Sequence, residues 1–239
     1  MRMWFRLLVG IAIARAGTGA WAHSDCVVLL HGLARTAKSM SKMETALQAQ
    51  GLSVVNVDYP SREQSIESLS PLAVERGLAE CRKGKPSQIH FVTHSLGGIL
   101  VRYYLGHASI PELGRVVMLG PPNQGSEVVD KFSDVPGYAI VNGPSGFQLG
   151  TGPGSIPLTL GPVTYPVGVI AGTESVNPIL STAFSEPNDG KVSVTRAQVE
   201  GMKDFIQVKS SHPFLMRNPE AIRQTVEFLT KGKFVRDVP

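Results

Sequence analysis

The stretch Ile89-His90-Phe91-Val92-Thr93-His94-Ser95-Leu96-Gly97-Gly98-Ile99-Leu100-Val101-Arg102 constrains the fold more than any other part of the chain. Its first half is an apolar, β-rich run, the pattern of a buried strand. Its second half places apolar residues at Leu96, Ile99, Leu100, Tyr103 and Tyr104, the spacing of a helix packed along one side. Little separates the two, so the chain must pass from strand to helix in a sharp turn. A serine on such a turn is lifted out of the sheet, with its hydroxyl presented at the helix N-terminus. Gly97 and Gly98 allow neighbouring elements to come close there. The pattern is Gly-x-Ser-x-Gly with Thr93 in place of the first glycine. Two readings follow for Ser95: an activated nucleophile, or a helix cap.

The rest of the chain repeats this alternation. Strand patterns are predicted at residues 27–30, 52–57, 89–93, 116–119, 167–171 and 205–208. Helical patterns are predicted at 39–50, 65–82, 96–107, 126–132 and 219–231. Regular β–α alternation implies one α/β domain with a mostly parallel, doubly wound sheet of about six strands. No repeat and no second domain is visible. Residues 142–166 break the rhythm, being dense in Gly and Pro with scattered apolar residues. That stretch reads as a lid or wall over a site, or equally as a long surface connection.

Three segments in order carry a resemblance. They are Leu29-Leu30-His31-Gly32-Leu33, Thr93-His94-Ser95-Leu96-Gly97-Gly98, and Gly120-Pro121-Pro122-Asn123-Gln124-Gly125-Ser126. Together they resemble the α/β-hydrolase fold family, in its bacterial lipase/esterase branch, over roughly residues 26–228. The resemblance implies a compact member without the family's extra leading hairpin, and Ser95 as nucleophile. It also implies an oxyanion hole made by the backbone N–H groups of Leu33, after the first strand, and of Leu96, after the nucleophile. His31 fits a structural histidine that hydrogen-bonds a nearby loop.

The family's order of serine, acid, then histidine leaves His107 and His212 as bases. His107 lies along the helix that Ser95 opens, roughly 18 Å away at 1.5 Å per residue. His212 follows a strand pattern and the turn residues Ser210-Ser211, where the family carries its catalytic histidine. The acid should follow the strand at 167–171, which leaves Glu174 at the strand's end and Asp189 in Asn188-Asp189-Gly190. The latter resembles the family's acid loop, although Asn-Asp-Gly is also a turn signal by itself. Asp189 is the preferred acid. Asp204 sits at the start of the last strand, the wrong end of the sheet.

The chain opens with a basic start, a short apolar run and Ala20-Trp21-Ala22. This reads as a signal peptide over residues 1–22, with export to the periplasm or beyond. The apolar run is too short to span a bilayer, and no lipid-attachment pattern precedes Cys26, so no stable membrane anchor is expected. Arg2, Arg6 and Arg15 lie in that leader; without them 20 basic residues stand against 19 acidic ones. The formal charge of +4 therefore carries no nucleic-acid footprint. Export makes a disulfide between the two cysteines, Cys26 and Cys81, the expected state. Cys26 starts the first strand, and the helix at 65–82 runs back to that same end near Cys81; two buried free thiols are the other reading. The scattered histidines, with no metal-binding spacing, imply no metal site, and no nucleotide loop implies a cofactor.

The reaction implied is hydrolysis of small-molecule or lipid esters through an acyl-serine, with no cofactor. An acyltransferase or thioesterase with the same three residues, or a non-catalytic lipid- or partner-binding relative, are the alternatives.

Overall fold

A computed structural model describes residues 25–236. Six strands form one parallel sheet in the order β2-β1-β3-β4-β5-β6: β1 (Cys26–Leu30), β2 (Ser53–Val57), β3 (Ile89–His94), β4 (Leu113–Leu119), β5 (Val167–Gly172) and β6 (Asp204–Val208). This is the doubly wound sheet that the alternation predicts. β1 shows why. All five of its residues are buried, with Cys26, Val28 and Leu30 facing one core and Val27 and Leu29 facing the other. A strand apolar on both faces needs helices on both sides.

The first core is closed by α2 (Ile66–Lys83) and α3 (Leu96–His107), the second by α1 (Ser41–Gln48) and α9 (Pro219–Lys231). Phe228 of α9 is fully buried and packs beside Phe234. The Asn218 side chain caps α9 by accepting from the N–H groups of Glu220 and Ala221. The disulfide Cys26–Cys81 joins the start of β1 to the last turn of α2, and both cysteines are buried.

Three expectations change. The helix expected at 39–50 is a 3₁₀ turn, Ala37–Met40, followed by the shorter α1. β4 begins three residues earlier than expected, at Leu113, where it pairs with Ile89. The Gly- and Pro-rich stretch is partly helical. Beyond α4 (Glu127–Phe132), the helix expected at 126–132, α5 (Tyr138–Phe147) enters the stretch and crosses Gly143-Pro144 by a kink, and α6 (Ile156–Thr159) lies within it. Gly143 takes a positive φ of 61° and lies against the Arg62 backbone, which leaves no room for a Cβ. Two short helices, α7 (Pro178–Ser181) and α8 (Val194–Ala197), lie between β5 and β6.

The strand order reverses direction between β1 and β3. In an open parallel sheet that point leaves a crevice at the carboxyl ends of the strands. The registers Leu30↔Thr93, His94↔Leu119 and Gly172↔Val208 bring the loops after β1, β3, β4, β5 and β6 to this one edge.

Candidate active site

Ser95 stands between β3 and α3 with φ 53° and ψ −121°, a region that non-glycine residues seldom occupy. Such a conformation costs on the order of 1–3 kcal/mol and persists only when its surroundings enforce it. They do so here through two backbone bonds: Ser95 N–H donates to Leu119 O (2.9 Å), and Gly98 N–H donates to Ser95 O (2.9 Å). Thr93, where the Gly-x-Ser-x-Gly pattern has glycine, is fully buried. It fits because Gly98 stands opposite; a Cβ on Gly98 would come within 3.3 Å of Thr93 Oγ1.

The Ser95 hydroxyl lies 2.9 Å from His212 Nε2, and His212 Nδ1 lies 2.7 Å from Asp189 Oδ2. A carboxylate only accepts, so Nδ1 carries the proton and Nε2 is left to accept from the serine. Asp189 Oδ1 is filled as well, by the N–H groups of Lys191 and Val192, each at 2.9 Å. The acid is 1% exposed, whereas Ser95 and His212 are each 8% exposed and reach the cleft. His212 N–H donates to Asp189 O (2.8 Å), which locks the two loops together. Gly120, after β4, makes this pairing sterically feasible. Its φ is 54°, and a Cβ there would fall 2.9 Å from Asp189 Oδ2 and 3.2 Å from His212 Nδ1.

The other candidates lie elsewhere. Glu174 is exposed; its backbone N–H donates to Ser210 O. Asp204 opens β6 at the far end of the sheet and pairs with Arg236. His107 is exposed at the end of α3 and bonds Tyr103 O. Leu33 lines the same cleft as Ser95, and Leu96 follows Ser95 as the first residue of α3; among the described residues neither backbone N–H donates a hydrogen bond. His31 holds the loop that carries Leu33. Its ring stacks on Tyr59 at 4.1 Å, Tyr59 O–H donates to its carbonyl, and burial pulls its imidazole below the usual histidine range.

Several supporting residues lie within the segments singled out in the sequence, but their roles are not assigned there. His94 Nε2 donates to the His212 carbonyl (3.0 Å), and burial, then the neighbouring His212, hold its imidazole well below the usual range. Ser126 Oγ donates to Lys191 O (2.6 Å) and so ties the Gly120–Ser126 loop to the acid loop. The buried Arg102 of α3 braces the same loop through Asn123 O and reaches Gly161 O. Only tertiary contact defines these roles.

Ser95 and His212 open into a cleft of about 360 Å³. Its apolar lining includes Leu33, Val128, Val129, Tyr138, Val141 and Leu149. A hydroxyl whose proton can pass to an imidazole, with that imidazole steadied by a shielded carboxylate, is the arrangement of an activated nucleophile. Among the described residues, no group of three or more His, Cys, Asp or Glu side chains is arranged to hold a metal ion.

The sequence model of the alpha/beta hydrolase family matches residues 27–224, most of the chain. The chain belongs to the alpha/beta hydrolase family. Solved structures with this fold include the mature lipase BlEst2 of Bacillus licheniformis, at a TM-score of 0.73 and 17% identity, covering 89% of this chain and 95% of that one. The metagenomic carboxyl esterase MGS0156 matches at 0.63 and 18% identity, covering 81% of this chain and 66% of that one. Phospholipase PlaB of Legionella pneumophila matches at 0.58 and 18% identity, covering 73% of this chain but 45% of that one. At these identities the likeness is one of alpha/beta hydrolase fold. No curated protein sequence matches the chain.

Proposed function

We propose that this protein is an exported serine hydrolase that cleaves carboxylic, lipid-like esters through an acyl-serine intermediate. One observation carries the reading: the continuous Ser95–His212–Asp189 chain, at 2.9 and 2.7 Å, facing a cleft with an apolar wall of Leu33, Val128, Val129 and Leu149. His212 Nε2 takes the hydroxyl proton as Ser95 Oγ attacks the ester carbonyl. The negative charge that gathers on the carbonyl oxygen is received by the N–H groups of Leu33 and Leu96. His212 then gives its proton to the departing alkoxide. A water, deprotonated by His212, releases the acid and restores the serine. Asp189 stays ionised throughout and steadies the imidazolium. No step calls for a cofactor.

The apolar side of this cleft suits the acyl half of such an ester. Residues 142–166 are read as part of its wall, since Asn142, Gly146 and Leu149 line it. The leader at residues 1–22 lies outside the described residues. Export is supported by its sequence and is compatible with the Cys26–Cys81 disulfide. No helix among the described residues is long and apolar enough to cross a membrane.

The test is active-site labelling joined to a substrate panel. A fluorophosphonate should label Ser95 stoichiometrically and fail to label Ser95→Ala. p-Nitrophenyl esters from acetate to palmitate should be hydrolysed by the wild type alone. Labelling at another residue overturns the assignment. Absence of both labelling and turnover favours a non-catalytic binding protein.

A further inference from the structure

Two cations border the site. Arg35 lies two residues past Leu33, and Lys191 two residues past Asp189. Both line the main cleft together with Ser95 and His212. Both also line a second cavity of about 190 Å³ that shares His212 with the main cleft, with Ser175, Asn177, Leu180 and Pro213. Arg35 is exposed, while Lys191 is mostly buried. Among the described residues neither side chain forms a hydrogen bond or an ion pair.

The local charge balance is unusual. Among the described residues Asp189 is the one carboxylate lining these two cavities, and both its oxygens are taken, one by His212 and the other by two backbone N–H groups, while Arg35 also borders a neighbouring depression that holds Asp58 and Glu63. Burial lowers the Lys191 ammonium below its ordinary range; Asp189 opposes that shift and Arg35 adds to it. An ammonium that is mostly buried, without a direct partner and near a second cation, is an uncomfortable group unless an anion joins it.

Its position says which half of a substrate would bring that anion. The apolar lining of the main cleft, on Val128, Val129 and Leu149, suits a hydrocarbon acyl chain. His212 must hand its proton to the leaving alkoxide, so the alcohol half lies on the His212 side of Ser95. The second cavity opens beside His212.

We propose that Arg35 and Lys191 form an anion subsite for the alcohol half of the ester, so that the preferred substrates are acyl esters of an alcohol bearing a phosphate or carboxylate a few atoms from the ester oxygen. The inference rests on the esterase reading above. The guanidinium is suited to bind two oxygens of such an anion side by side, and the ammonium supplies a point charge close to the reacting centre.

The test compares matched esters of one acyl group in one enzyme: 1-butyrylglycerol, 1-butyrylglycerol 3-phosphate and 3-butyrylglycerate. A fourth ester, glycerol monoadipate, carries its anion on the acyl half. The wild type should show a kcat/KM at least about tenfold higher for a glycerophosphate or glycerate ester than for the neutral one, as a charge-assisted contact provides. That ratio should shrink with added salt. Whichever of the phosphate and carboxylate esters leads identifies the anion. In Lys191→Met and in Arg35→Gln the ratio should fall towards one, while Lys191→Arg keeps most of it. A ratio is indifferent to how much of a variant is folded. Hydrolysis of the neutral ester with no preference for the alcohol-side anions, or a ratio unmoved in both variants, overturns the subsite and leaves the esterase reading standing. A preference for the adipate ester alone overturns it in the same way. Hydrolysis of none of the four overturns both.

Discussion

Replacing Asp189 by Asn changes one atom and almost no volume, yet its neighbours dictate how the new amide must sit. Oδ1 accepts two backbone N–H bonds at 2.9 Å, from Lys191 and Val192. An NH₂ group there would face two donors, so the amide oxygen keeps that place. The amide nitrogen then falls at the Oδ2 position, 2.7 Å from His212 Nδ1. It can only donate, so Nδ1 must become the acceptor and the ring proton moves to Nε2. That proton now faces the Ser95 hydroxyl 2.9 Å away, and the imidazole can no longer take the serine's proton. The loss of tautomer and of charge together should lower kcat by about 10⁴-fold, or roughly 5.5 kcal/mol of barrier, the scale known for this change in serine proteases. Binding should persist, so KM moves little. The melting temperature should stay within a few degrees, because the bonds at Oδ1 survive. Steady-state hydrolysis of p-nitrophenyl butyrate, with calorimetry on the same samples, measures all three. Glu174→Gln is the control: the side chain is exposed at the end of β5, and kcat should remain within about tenfold. If Asp189→Asn keeps kcat within tenfold of wild type, or Glu174→Gln collapses it, the reasoning from the hydrogen-bond pattern is wrong.

Removing the disulfide with Cys26→Ala/Cys81→Ala frees a loop of 55 residues. Loop-closure entropy puts this at about 4 kcal/mol, and a domain of this size should melt roughly 8–16 °C lower. An unchanged Tm by calorimetry would count against that contribution. Three buried histidines, His31, His90 and His94, are held below the ordinary imidazole range chiefly by burial, His90 down to about 4. The unfolded chain therefore binds more protons than the folded one below about pH 6.5. Stability should be fully present above that pH and decline as it falls towards 4, with a slope of up to roughly 1.4 kcal/mol per pH unit for each histidine. Thermal melts from pH 8 to pH 4 check this; a Tm constant over that range refutes it, and His90→Gln should flatten the slope. Protein recovered from the periplasm or medium of an expressing bacterium should begin at His23 by N-terminal sequencing. An intact Met1 on exported protein contradicts the leader at residues 1–22.

What the sequence determined by itself was local. A strand apolar on both faces, such as β1, announces helices on both sides, and β–α alternation announces a parallel sheet. A serine squeezed between strand and helix announces its own turn, because so few residues can make that passage. The kinked helix at Tyr138–Phe147 was not legible, since Gly143-Pro144 is a turn signal taken locally. The chain continues through it only because Gly143 lies against the Arg62 backbone and Ser145 Oγ bonds Ser61 O (2.6 Å), contacts with a loop some eighty residues earlier. The same holds at the candidate site. Glu174 and Asp189 both follow β5, and local pattern leaves both available. Only the folded loops decide which carboxylate lies against His212, by setting its backbone N–H on Asp189 O and leaving Gly120 without a Cβ in the way. Arg35 and Lys191 had no sequence signature, and His94, although inside the Thr93–Gly98 segment, had none that pointed to its bond with the His212 carbonyl. Hydrogen bonds and charge act through a few ångströms of space, and residues 35, 94, 191 and 212 are brought within that range only when the sheet edge gathers the loops after β1, β3, β5 and β6.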